Sequence, residues 1–354
     1  MLGISIYLNQ PIDQQQEKIK HYNAQGFNMI FTSLHIPEEN KEVYRERLIE
    51  LGILAKNLKM KLIVDIDASS LNTLHLRLNE ANQLDQMGIS ALRLDEGFDE
   101  KVTAALSKQI PIVLNASTLT TELLRNMTKE GLNVNQVTAC HNYYPRPETG
   151  LSRQAFRQRN QFLKNVGLSI AAFFPGDQNR RGPIFKGLPT LEYHRNYSPF
   201  ASFLDLSQED VDDLILGDSD MSEHALRQFS SWKNGLFLLH AHPKTDDLTL
   251  LEAVALPQSN RLDEARDCIR SQESRMQHLL KLPVLPTNHS VSRLIGSITV
   301  DNQLYGRYQG EIQITKHDLP ADPKVNVIGI IMSEDLPLLH FMHGGSKFQI
   351  EWIC

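Results

Sequence analysis

The stretch ACHNYYPRPETGLS (140–153) follows an apolar lead-in with His141, Asn142, Tyr144, Arg146 and Glu148, pinned by Pro145 and Pro147. Other apolar runs close in the same way. LGISIYL ends with Ser5 and Tyr7, NMIFTSLH with Ser33 and His35, and KLIVDID with Asp65 and Asp67. ISALRLDE ends with Arg93, Asp95 and Glu96, IPIVLNAS with Asn115 and Ser117, and VDDLILGD with Asp218. Carboxylates can serve as general acid, general base or nucleophile. Asn, Ser and His hydrogen-bond ring hydroxyls, and Tyr offers a stacking face, so the set suits a sugar. Each residue also has an ordinary structural role open to it. Asp65 or Asp95 could cap the following helix. Asn115 and Ser117 could satisfy turn amides. His141 could be a packed, hydrogen-bonded histidine. The structural account weakens when applied to all of them at once, because buried polar groups are costly unless partnered.

A second feature is the Gly/Pro-rich segment PGDQNRRGPIFKGLPTLEYHR (175–195), with Arg180, Arg181 and Lys186. It reads either as a solvated basic loop or as a phosphate site, where arginines and a lysine supply charge-assisted donors. Metal hydrolysis is not supported: there is no His-x-His after the first run and no His-rich carboxylate cluster, so no metal ligand is assigned. A Schiff-base mechanism lacks its strand-end lysine. No cofactor is expected.

Something must hold these endings together. Eight short β-rich runs, 2–8, 28–34, 61–67, 89–95, 110–117, 136–144, 168–176 and 211–218, alternate with helical stretches. The helical stretches include 14–26, 43–58, 71–88 and 152–167, with apolar residues three and four apart and several ending at Gly. The runs are nearly continuous in apolar residues, as in strands buried on both faces. Eight strand–helix repeats predict a (β/α)8 TIM barrel, whose active site lies at the C-terminal strand ends. The 175–195 loop then leaves strand seven, where barrels commonly bind phosphate. No GxGxxG follows an early strand, which disfavours a dinucleotide site.

The texture changes near residue 235. One helix is expected at 261–276, followed by short strands in RLIGSITVDN, RYQGEIQI, NVIGIIM, LLHFMHGG and KFQIEWI. The expected domains are therefore a barrel over 1–235 and a small β-rich domain over 236–354.

The bulk properties are those of an ordinary globular chain: 354 residues, 41% hydrophobic, 22% charged, net charge −6. The negative balance argues against nucleic-acid binding. Cys140, Cys268 and Cys354 are too scattered for a disulfide framework or a structural zinc and read as free thiols. The N-terminus has no signal-peptide pattern and no stretch approaches a membrane span, so a cytoplasmic protein without membrane partners is expected. Self-association into a homo-oligomer is compatible with all of this.

The segments MLGISIYL, GFNMIFTSLHIPEE, LRLDEGF, LNAST, ACHNYYPRPETGLS, RGPIFKGLPTLEYHR, LILGD, GSITVDNQLYGRYQGEIQI and LPADPKVNVIG resemble, in this order, the MupG-type 6-phospho-N-acetylmuramidase family. One segment departs from the family pattern: VDIDASS carries Asp67 as an extra carboxylate and lacks a proline. The resemblance spans nearly the whole chain. It implies a TIM barrel followed by a cyclophilin-like β domain. It also implies intracellular hydrolysis of N-acetylmuramic acid 6-phosphate–N-acetylglucosamine during recovery of cell-wall fragments. Another phosphorylated disaccharide, or a non-catalytic sugar-phosphate sensor, are the alternatives.

For glycoside hydrolysis the leading carboxylate pair is Asp95 with Glu148, and Asp65 is the reserve; assistance by the substrate's own N-acetyl group is a second route. His141, Asn142, Asn115 and Tyr144 are assigned to sugar contacts, with Tyr7, His35, Arg93 and Asp218 as further binding residues. Arg146 would meet a lactyl carboxylate. Arg181, Lys186 and the amide of Gly182 would take the phosphate. Glu192 is expected to hold its loop in place.

Overall fold

Apolar runs too continuous for a half-exposed sheet become the staves of a closed barrel. In the computed structural model, which describes residues 1–34, 43–68, 81–280 and 283–353, the strands follow the expected runs, trimmed at their ends. They are β1 (Leu2–Ser5), β2 (Met29–Ser33), β3 (Lys61–Ile66), β4 (Ala91–Leu94), β5 (Ile112–Asn115), β6 (Val137–Cys140), β7 (Ser169–Phe174) and β8 (Asp213–Leu216). All eight pair in parallel in chain order, and β8 closes onto β1. The expected TIM-like barrel is found.

Strand side chains alternate in and out. Met29 and Phe31, Ile63, Ala91, Val113, Cys140, Ala171 and Phe173, and Ile215 form one buried cluster that fills the barrel. The register sets Ser33 opposite Asp65 and Asp65 opposite Arg93 on three successive strands. That row lies one step of two residues beyond Phe31, Ile63 and Ala91, so it faces inward above the apolar plug.

The covering helices start where the sequence supplies a cap. Asp99, Thr120, Ser152 and Ser198 each accept a hydrogen bond from the backbone N–H three residues on, a contact worth about 1 kcal/mol. Helix Tyr44–Asn57 passes so close to the chain at Met87 that a Cβ on Gly52 would stand 1.7 Å from the Met87 carbonyl oxygen. Only glycine permits that approach. Of the expected helix at 71–88, Ala81–Gln86 is helical, and the residues before it lie outside those described.

The chain divides into two compact units, Met1–Ser222 and Glu223–Cys354. The second is built on a seven-stranded sheet. Its strands are β9 (Leu236–Pro243), β10 (Gln258–Ser259), β11 (Cys268–Arg270), β12 (Ser297–Asp301), β13 (Ile312–Thr315), β14 (Val325–Ile331) and β15 (Lys347–Trp352). They lie in the order β10-β15-β9-β14-β12-β13-β11, with β15 and β9 parallel and the other pairs antiparallel. Two expectations change here and one strand is added. The helix expected at 261–276 shrinks to Glu273–Met276, because Cys268–Arg270 pairs with β13 and Asn260 Oδ1 accepts from the Arg270 N–H. LLHFMHGG is not a strand: its first four residues belong to a 3₁₀ turn, Leu336–Phe341, with Pro337 in its first turn. LFLLHAHP, not singled out in the sequence, is the central strand β9. Among the described residues no helix is long and apolar enough to cross a membrane.

Candidate active site

The inward parity of the strands builds the site. Two residues beyond the apolar plug come Ser33, Asp65, Arg93, Asn115 and Asn142, and all five line a cavity of about 430 Å³. Asp95, two residues past Arg93, lines it too. Phe31, Phe173, Tyr143, Tyr144 and Pro145 form its apolar wall, and Arg181, Gly182 and Pro183 complete the rim.

Arg93 organises this floor. Its Nη1 donates to Asp65 Oδ1 at 2.6 Å and stands 3.8 Å from Asp95 Oδ1. Its Nη2 donates to Asn142 Oδ1 at 2.7 Å. Burial works against its charge, but Asp65 above all, with Asp95 adding, outweighs burial, so the guanidinium is firmly cationic. Arg93 and Asp65 are both buried. Removing one partner from such a pair costs roughly 3–5 kcal/mol, because the other charge is left without compensation. Asp95 is the more open carboxylate, with a side chain 27% exposed. Because both carboxylates reach the same Nη1, their nearest oxygens are no farther apart than the sum of those two distances. One carboxylate is thus locked, and a second stands beside it facing the cavity.

Arg181 closes the opposite side. Its guanidinium lies 4.3 Å over the Tyr7 ring and donates to the Tyr143 hydroxyl at 3.1 Å. Burial raises the pKa of both phenols, so they remain neutral partners. The Arg181 backbone N–H is held by Asp218 Oδ1 at 3.0 Å.

Eight of the residues given a site role from the sequence therefore line one cavity, together with Ser33: Asp65, Arg93, Asp95, Asn115, Asn142, Tyr144, Arg181 and Gly182. The others go elsewhere. His141 is one residue out of phase with the inward set. It is fully buried, hydrogen-bonds Asn160 Oδ1 through Nε2 at 2.7 Å and packs on Phe156. Burial pushes its pKa down to about 4, so it is neutral. It packs in the interior and does not line the cavity. Tyr7 is buried, and its hydroxyl donates to the Gly217 carbonyl; it supports Arg181 from behind. Asp218 is fully buried and accepts the N–H groups of Gly176, Arg181 and Leu188. It pins the loop and does not line the cavity.

Glu148 is exposed and does not line the cavity either, so Asp95 and Glu148 are not brought together there. Its own backbone N–H is held by Glu192 Oε1, and the Gly150 N–H by Glu192 Oε2. A Cβ at Gly150 would fall 2.6 Å from that Oε2, so glycine admits the clamp. Arg195 grips Glu192 and also donates to the carbonyls of Tyr144, Lys186 and Gly187. This ties the loop after β6 to the loop after β7. The Arg195 hydrogen bond, opposed by some burial, holds the Glu192 carboxyl at about 2. Arg146 and Lys186 are exposed and outside the cavity lining. His35 lies outside the described residues.

Among the lining residues given no individual role from the sequence are Tyr143, which lies in the 140–153 stretch, and Phe31 and Phe173. Tyr143 packs edge-to-face on Phe173 at 5.0 Å, and Phe173 on Phe31 at 5.2 Å. The signal for the two phenylalanines was the period of two along β2 and β7.

Fold and site together define a TIM-barrel protein with a strand-end cavity whose adjacent carboxylates and arginine suit glycosidic chemistry. Residues 2–231 match the N-terminal model of the 6-phospho-N-acetylmuramidase family and residues 239–351 its C-terminal model. The chain belongs to this family, whose name denotes glycoside hydrolysis. Among solved structures, a conserved Enterococcus faecalis protein of unknown function is 39% identical, with TM-score 0.88 over 99% of this chain and 96% of that one. An uncharacterized B. cereus protein is 27% identical, with TM-score 0.70 over 99% of both chains. No curated protein matches the chain.

Proposed function

We propose that the chain hydrolyses the glycosidic bond of a 6-phosphorylated amino-sugar disaccharide, N-acetylmuramic acid 6-phosphate–N-acetylglucosamine, inside the cell during recycling of cell-wall fragments. The family supports the reaction and the phosphorylated sugar. The observation that carries the site is the Asp65–Arg93–Asp95 group at the cavity floor, with Arg181 at its rim.

In this proposal Asp95 exchanges the proton with the glycosidic oxygen, because it is the more open carboxylate. Asp65, fixed by Arg93, supplies negative charge to the oxocarbenium-like transition state or to the substrate's acetamido group. Asn115 and Asn142 contact ring hydroxyls, and the Tyr143 and Tyr144 rings cover a sugar face. Arg181 and the Gly182 amide take the phosphate. Glu148 has no catalytic part.

The test is turnover of the phosphorylated and unphosphorylated disaccharides by wild type and by Asp95→Asn. Wild type should cleave the phosphorylated substrate preferentially. The variant should lose about 10²–10⁴ in kcat, the usual contribution of a positioned acid–base group, with little change in Tm. Cleavage of neither disaccharide by wild type overturns the substrate; near-normal kcat in Asp95→Asn overturns the assignment of the acid.

A further inference from the structure

The second unit brings three ligand-type side chains together from distant parts of the chain. His224 stands on helix Glu223–Trp232, His240 on β9 and Glu351 on β15. Glu351 and His240 are direct neighbours across the parallel β15–β9 pair. One candidate ligand atom from each of the three lies within 4.8 Å of the other two. We propose that these residues form a binding site for a divalent first-row transition metal ion, with zinc the physiological occupant.

The hydrogen bonding leaves one nitrogen of His240 open. The backbone N–H and the Nδ1 of His240 both face Asp335 Oδ2, at 3.0 and 2.9 Å, and Gln228 fixes the same oxygen from the helix at 2.8 Å. A carboxylate accepts at that contact, so His240 carries its proton on Nδ1 and its lone pair on Nε2. That Nε2 is buried and has no hydrogen-bond partner among the described residues, on a side chain only 7% exposed. An imidazole held by a carboxylate on one nitrogen with the other left open is the arrangement of a metal-ligating histidine. The His224 ring stands nearly perpendicular to the His240 ring, with centroids 5.4 Å apart.

His224 Nδ1 accepts from Arg227 Nη2 at 2.8 Å, because a guanidinium can only donate. The same Nδ1 lies 3.2 Å from Glu351 Oε1, also an acceptor. Two acceptors that close need a cation between them, and Arg227, bonded to both, is that cation here. The Arg227 side chain is 46% exposed and also feels the charge of Glu223. It can swing outward when an ion takes its place.

Two imidazoles and one carboxylate make a three-ligand set for zinc, leaving one position for water. Tetrahedral ligands at zinc bond lengths stand about 3.3–3.5 Å apart. The site must therefore contract, and His224, with a side chain 50% exposed, is the ligand with room to move. Arg227 makes binding conditional: it competes with the ion for the same lone pairs.

The test uses the untagged full chain after chelator treatment. Co²⁺ is titrated and its visible d–d absorption followed, and Zn²⁺ is then added to displace it. Wild type should show saturable tetrahedral absorption that one equivalent of Zn²⁺ removes. His224→Ala and Glu351→Gln should weaken Co²⁺ binding tenfold or more, and Arg227→Ala should tighten it severalfold. His224 is largely exposed, so its variant should fold even where His240→Gln does not. Absent d–d absorption in wild type, or equal affinity in wild type and His224→Ala, overturns the proposal. The readout is independent of glycosidase activity, so failure of this site and failure of the proposed hydrolysis remain distinguishable.

Discussion

The two sides of the barrel mouth carry the same residue types and use them differently. On the β3–β6 side, Asp65, Arg93, Asp95 and Asn142 face the cavity, and Arg93 links the side chains of the other three. On the β7–β8 side, Asp218, Glu192 and Arg195 are engaged with backbone: Asp218 with three N–H groups, Glu192 with two, Arg195 with carbonyls of both loops. A carboxylate that satisfies N–H groups is part of the scaffold. One that stands beside an arginine and open space is available to a substrate. Residue type and strand-end position do not separate these cases; partners do.

The strongest check on the scaffold side is Asp218→Ala. It leaves three N–H groups without their acceptor, at about 1–3 kcal/mol for each that stays buried and unmet. Calorimetry should show a loss of several kcal/mol in stability, with any activity loss following from the disordered loop. An unchanged Tm would dissolve the distinction between the two sides.

His141 offers a pH version of the same contrast. Its folded pKa of about 4 lies below the unfolded value of about 6.5. Between these values the unfolded chain binds the extra proton, so stability is full above pH 6.5 and falls as pH drops toward 4. At about 1.4 kcal/mol per pKa unit this amounts to roughly 3 kcal/mol. Denaturation at pH 7 and pH 4.5 should show it, and His141→Gln should flatten that part of the profile. An equally steep profile in the variant would remove His141 from the scaffold set.

Arg181 belongs to both sides: its backbone is pinned by Asp218 and its guanidinium faces the cavity. Arg181→Ala should raise KM for the phosphorylated disaccharide by about 10–100-fold, as loss of a charge-assisted contact does, and much less for the unphosphorylated one. Equal losses on both substrates would return Arg181 to the scaffold. The smallest expected effect is at Glu148, where Glu148→Gln should keep kcat within about twofold, the surface-substitution regime. A large loss there would place Glu148 in the chemistry and break the division.

Much of the site was legible because a strand has a period of two. Once Phe31, Ile63, Ala91 and Val113 are taken as inward, Ser33, Asp65, Arg93 and Asn115 must follow. The same arithmetic sets His141 out of phase with this row, although its residue type alone suits a sugar contact. Beyond the strand ends no period applies. Lys186, Arg146 and Glu148 sit in loops whose course depends on the Glu192–Arg195 clasp, and that clasp depends on contacts 42 to 51 residues apart.

The second unit shows the limit more sharply. Its strands were partly visible, but β9 passed unnoticed and the expected 261–276 helix gave way to β11, because pairing with β13 overrode local helical propensity. No metal ligand was assigned from spacing: His224, His240 and Glu351 are far apart in sequence, and the pairing of β9 with β15 under one helix gathers them. The sequence alone determined the eight strand–helix repeats, the closed barrel and the polar character of its strand ends, because apolar periodicity is a local property that each segment carries. Tertiary structure decided which polar groups meet substrate, which hold backbone and which converge on a cation, because a side chain's role is set by its partners, and partners are brought together only by folding.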